Sequence, residues 1–169
     1  MTLYELLQAG NSVGLKGAMA ETKIEIHTGL AGFIMLDDVR ETAATEITGI
    51  RSFSDEPVYL GLEALAQLGA FQIRRLTGFD RHIFLLKIAD CRLSTGKSLK
   101  GRFVLTGKLL SQSDAAFFCR MKAEKGKIPV IEGDFLFASV DYDKKFKREN
   151  LRRHYEKIFT CLLNDIKRD

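Results

Sequence analysis

The stretch Pro57 to Thr77, PVYLGLEALAQLGAFQIRRLT, constrains the fold more than any other part of the chain. Read as a helix rising 1.5 Å per residue, it would span about 30 Å, enough to cross a small domain. Val58, Leu60, Leu62, Leu65, Leu68, Phe71 and Ile73 place apolar groups on every side of it. A helix apolar all round belongs in a core. Into that surface the sequence sets Glu63 and Gln67, four residues apart and therefore stacked on one side. A carboxylate in such surroundings must be paired, hydrogen-bonded or protonated. Ser54 or Asp55 can cap the start, Pro57 is tolerated in a first turn, and Thr77-Gly78 marks the end. Gly61 and Gly69 lie on nearly the same side and leave room for a strand or a second subunit to come close.

The rest of the chain supplies what could wrap this helix. Residues 2–9 place Leu3, Leu6 and Leu7 on one side of a short helix, and Gly10, Gly14 and Gly17 mark a loop. Ala18 to Thr28 alternates as a half-buried strand. An apolar run over residues 32–41 is turned by two aspartates, and residues 44–53 form a short strand or an irregular approach to the helix. After the helix come four strand-like runs, Arg81 to Leu93, Gly101 to Gln112, Ala115 to Lys125 and Ile128 to Tyr142, joined by short turns. Short turns predict an antiparallel meander. A lone helix with no polar back must be enclosed by a curved sheet or covered by a partner subunit.

Charge separates the body from the tail. The formal net charge is +4, but residues 144–169 hold nine Lys/Arg against four acids, leaving the body with 17 basic and 18 acidic residues. The body therefore predicts no nucleic-acid surface. No apolar run is long enough to span a membrane, and MTLYELLQAG lacks the features of a signal peptide, so the expectation is a cytoplasmic protein. Cys91, Cys119 and Cys161 are far apart and odd in number. They read as reduced, mostly buried thiols, with no metal site and no cofactor implied.

Two segments resemble a known family. Phe33-Ile34-Met35-Leu36-Asp37-Asp38-Val39, and Pro57 followed by Leu62-Glu63-Ala64-Leu65-Ala66-Gln67, resemble motifs of the hot-dog fold proteins, within them the beta-hydroxyacyl-(acyl carrier protein) dehydratases. The resemblance implies an α+β hot-dog fold: a long central helix wrapped by a curved antiparallel sheet, here with an added C-terminal helix. It divides the chain into an N-terminal helix and loop (1–17), a hot-dog domain (18–142) and a basic C-terminal helix (143–169). It implies a homodimer or a multiple of one, acting on acyl thioesters. Glu63 takes the place of the catalytic glutamate, Gln67 that of its companion, and Pro57 and Val58 the substrate-binding Pro-Gly.

The family's second catalytic group is a histidine, and its position falls on Gly49. Dehydration takes a proton from carbon and gives one to a leaving hydroxyl, which a single carboxylate does not readily do alone. His27, His82 and His154 are the possible substitutes, with His82 the best candidate because it is close to the helix in sequence. Glu63 then admits three readings. It is the acid/base residue of a 3-hydroxyacyl thioester dehydratase, the preferred reading. It is the base or nucleophile of an acyl thioesterase. Or it is a satisfied structural group in a non-catalytic acyl-binding or dimerising protein.

The tail reads as an amphipathic helix. Leu151, Tyr155, Ile158, Phe159, Leu162, Leu163 and Ile166 form its apolar stripe. That stripe predicts a helix packed on the body or on the dimer with a solvated basic face; Arg148, Arg152 and Arg153 on that face give the alternative, a candidate docking surface for an acidic acyl carrier protein.

Overall fold

The computed structural model describes residues 34–94, 98–144 and 146–164. The expected N-terminal helix, its glycine loop, the strand Ala18 to Thr28 with His27, and the last five residues lie outside that set. The chain divides into two compact units, Met1–Phe33 and Ile34–Asp169, and every described residue belongs to the second.

The elements of that unit are β1 (Asp38–Thr42), β2 (Glu46–Pro57), α1 (Val58–Leu76), β3 (His82–Leu93), β4 (Ser98–Gln112), β5 (Ala116–Lys125), β6 (Ile128–Val140) and α2 (Arg148–Asn164). The six strands form one sheet in the order β1-β2-β4-β5-β6-β3, every pair antiparallel. The uncertain stretch before the helix is a twelve-residue strand running straight into it. The expected four-strand meander holds for β4, β5 and β6 but not for β3, which pairs with β6. The reason is the helix itself: it carries the chain across the sheet, so the next strand is laid at the far edge and β4 must cross back to join β2.

Alternation builds the core. In β5, Phe117, Cys119, Met121 and Ala123 point inward and are buried, while Arg120 faces water. The outward face carries mated charges, including a two-pronged Arg120–Asp134 bridge and the pairs Lys108–Glu46 and Lys122–Glu124. Five strands, β2 to β6, touch α1. Strands about 4.8 Å apart spread five of them over about 19 Å, nearly twice the width of a helix, so the sheet curls around α1.

The glycines fix which side of α1 meets the sheet. A Cβ added at Gly61 would lie 2.5 Å from Ile131 and 2.6 Å from Leu99, and one at Gly69 would lie 2.6 Å from Phe137. Strands, not a second subunit, occupy the space these glycines leave. Thr77 caps the helix end, its N–H bonding Ile73 O at 2.9 Å, and Gly78 at φ +61° takes the left-handed turn beyond it. The start differs from expectation. Pro57 is the N-cap and supplies no side-chain bond. Asp55, at φ 81° beside a bulge in β2, instead accepts a hydrogen bond from Ser98 Oγ.

The far side of α1 is not uniformly buried. Its second half lies under α2, where Phe71 stacks on Phe159 with centroids 5.7 Å apart and meets Tyr155 edge-on. No element among the described residues covers its first half, where Tyr59 is 62% exposed and Leu60, Leu62, Glu63 and Gln67 are half-buried.

Candidate active site

Glu63 and Gln67 come together as their spacing requires, on the open outer side of α1. Gln67 Nε2 donates to Glu63 Oε1 at 2.9 Å, and Gln67 Oε1 accepts the backbone N–H of Met35 at 2.9 Å. The order of these bonds follows from chemistry. A peptide N–H can only donate, so the amide oxygen must face Met35 and the amide nitrogen must face Glu63. Met35 thus orients Gln67, and Gln67 holds one carboxylate oxygen as an acceptor. Nothing among the described residues pairs with Glu63 Oε2. The acid is positioned within a single chain and keeps one oxygen free.

The helix start lies about 8 Å along the axis from Glu63 at 1.5 Å per residue. Its first-turn N–H groups have no side-chain cap, and that turn contains no acid. Such a terminus favours negative charge. Pro57 is exposed and pairs with Ser98 as the last residue of β2; Val58, half-buried, opens the helix.

Gly49 does not stand in a loop before the helix. It lies in the middle of β2, opposite Val39 and Leu105. A Cβ there would sit 2.9 Å from Asp38 O and 3.0 Å from Leu68 Cδ1. The space an imidazole would need is filled by the core.

The described histidines occupy different settings. His82 stacks on Phe146 at 4.3 Å. Burial, together with the Arg74 charge beside it, pushes its pKa down to about 4. Arg74 lies about 16 Å along the axis beyond Glu63, which sets His82 at the other end of the helix. His154 lies on α2, exposed, lining a groove with Ile34, Leu36 and Ile158. Of the two, His154 lies on the side of the segment that orients Gln67, whereas proximity in sequence favoured His82.

The closed half of α1 holds a cation. Arg74 is 7% exposed, donates from Nη2 to Ile83 O at 2.8 Å and lies 3.8 Å from the centroid of the Tyr155 ring. Burial lowers its pKa, the neighbouring tyrosines opposing that shift. It pins the end of α1 to β3 and to α2.

The tail arginines do not stand free as a group. Arg148 Nη2 lies 2.5 Å and Arg152 Nη1 2.7 Å from the same Asp80 oxygen, and Arg152 also pairs with Glu156. Both hold α2 against the turn after α1. Arg153 is exposed. All three cysteines are free, but only Cys119 is buried, its pKa pushed up to about 12 by burial; Cys91 and Cys161 are exposed. Among the described residues, no three His, Cys, Asp or Glu side chains are grouped to hold a metal ion. No helix among them is long and apolar enough to cross a membrane.

Two participants escaped sequence reasoning. The Met35 backbone N–H carries no side-chain signal, although it lies in one of the two segments that resemble the family. Arg74 is half of an Arg-Arg pair that looks like an ordinary polar helix end.

No family model and no curated protein matches the chain in sequence. Solved structures match in architecture. The dehydratase heterocomplex ApeI:P from Xenorhabdus doucetiae matches with a TM-score of 0.57 at 14% identity, over 69% of this chain and 88% of its own. A thioesterase from Haemophilus influenzae matches with a TM-score of 0.53 at 5% identity, over 61% of this chain and 77% of its own. A mutant thioesterase from Pseudomonas aeruginosa matches with a TM-score of 0.52 at 9% identity, over 61% and 80%.

Proposed function

On the premise that the chain has the hot-dog fold, we propose that it acts on acyl thioesters and hydrolyses them, with Glu63 as the general base. One observation carries this reading: Glu63 is held by Gln67 through one oxygen and keeps the other free, while the histidine position at Gly49 is filled by the core. Hydrolysis needs one base and a site for the oxyanion. Glu63 Oε2 takes a proton from water, the water oxygen attacks the thioester carbonyl, and the uncapped N–H groups at the start of α1 receive the negative charge. The carbon–sulfur bond then breaks, and the proton held by Glu63 goes to the departing thiolate. Gln67 keeps the carboxylate aimed, and Pro57 and Val58 border the carbonyl position.

Dehydration of a 3-hydroxyacyl thioester is the second reading. It needs a further proton-transfer group, and the open first half of α1 is where a partner subunit could bring one. A second copy would pair along β3, a sheet edge bonded only to β6 among the described strands and exposing Phe84 and Leu86. If the acyl group arrives on a carrier protein, the steering charge left to α2 is centred on Arg153 rather than on Arg148 and Arg152, which Asp80 holds.

The test incubates the purified chain with saturated and 3-hydroxy acyl-coenzyme A and follows free thiol and enoyl product together. Thiol from both substrates supports hydrolysis. Enoyl product without thiol overturns it in favour of dehydration, and neither product leaves a binding protein.

A further inference from the structure

An acyl thioester has a tail as well as a reacting carbonyl. The space between α1 and the sheet is full. Leu65, Leu68, Met121, Ile131 and Phe137 meet there with at most 2% exposure, and a methyl group added at Gly61 or Gly69 would come within 2.6 Å of Ile131, Leu99 or Phe137. A tail must therefore lie elsewhere.

A groove beside α2 offers a place. Between the segment 34–37 and α2 lies a groove of about 450 Å³, a size typical of small-molecule sites. Ile34, 43% exposed, and half-buried Ile158 provide apolar surface over the nearly buried Leu36 and Leu162, and Asp37, His154, Lys157 and Cys161 also line it. The segment that lines it is tied to the acid through hydrogen bonds. Leu36 follows directly on Met35, whose N–H holds Gln67, and Gln67 holds Glu63.

We propose that this groove is the acyl-chain site, taking an unbranched aliphatic tail of medium length against α2 while the thioester carbonyl lies at Glu63. The assignment rests on the acyl thioester reading and names where that substrate's tail goes. It gives α2 a role beyond covering the core: half of the wall that selects chain length belongs to the C-terminal helix.

Cys161 provides a reporter inside the groove. In a Cys91→Ser background the remaining other thiol, Cys119, is buried, so alkylation by iodoacetamide reads Cys161. Decanoyl-coenzyme A and free decanoate at ten times their Kd should each slow that alkylation about tenfold, because occupancy leaves roughly one site in eleven open. Unchanged alkylation, or equal protection by coenzyme A alone, overturns the proposal. Cys161→Trp, a change at an exposed position that fills the groove, should lower kcat/KM for the decanoyl thioester by about tenfold or more and spare the butyryl thioester. Equal loss for both chain lengths, or no loss for either, contradicts it. The two readings fail separately. Protection by decanoate without any thiol release sinks only hydrolysis, and butyryl turnover without protection of Cys161 sinks only the groove.

Discussion

The two halves of the outer side of α1 have opposite fates. The second half is closed: Phe71 and Arg74 lie beneath Tyr155 and Phe159, and the charge buried there is a cation engaged by a carbonyl and a ring. The first half is open, its helix start uncapped and its acid half satisfied. On the proposed function, a single helix separates stability from chemistry along its length. The cation that fastens the closed half is bonded to a carbonyl and stacked on a ring, and the group assigned to react is held on one side only.

Breaking the closed half should cost the most stability. Arg74→Ala leaves Ile83 O without its donor and removes the cation from the Tyr155 ring, a loss of about 3 kcal/mol in unfolding free energy. Urea denaturation reads it directly. If the variant unfolds at the native midpoint, Arg74 is not the fastening that its contacts imply.

A smaller effect of opposite sign sits on the sheet-facing side. Gln72 is 2% exposed, and neither its amide nitrogen nor its oxygen has a partner among the described residues. Replacing it with leucine, close in volume, should raise stability by about 1–2 kcal/mol by removing unsatisfied polar atoms. A lower midpoint for Gln72→Leu would mean that the amide is satisfied after all, by an internal water.

The mildest test uses pH. His82 has its pKa depressed in the fold from 6.5 to about 4, chiefly by burial and then by Arg74. The unfolded chain therefore takes up a proton first as pH falls. This contribution to stability is complete above pH 6.5, is lost progressively below it, and levels off near pH 4. Partial exposure of the ring limits the effect. His82→Phe, which keeps the stack on Phe146, should flatten stability across that window, and an unchanged slope assigns the pH dependence to other groups.

Much of this contrast was legible in the residues, for physical reasons that differ from place to place. The extent of α1 could be read because Thr77-Gly78 has the chemistry of a helix end, and Glu63 with Gln67 because i and i+4 must stack. The strands β4 to β6 show in their alternation. The placement of β3 does not, because which strand it meets depends on where the helix releases the chain. The arginines of α2 read as a free basic face because Asp80, which takes up two of them, is distant in sequence. The Ser54 or Asp55 cap failed since β2 runs straight into the helix, leaving no loop for a capping side chain. The resemblance puts the family histidine at Gly49, yet only the packing of Leu68 and Asp38 against that residue shows how little room a side chain would have there.

The most direct test of the division between the halves is the initial rate of thiol release by Glu63→Gln, measured beside its urea midpoint. The substitution keeps the shape of the side chain and removes the base. The expected rate is at least about a hundredfold below native, with the midpoint unchanged. A rate equal to the native one would contradict the assignment of chemistry to the open half, and a collapsed midpoint would show that Glu63 belongs with the fastenings instead.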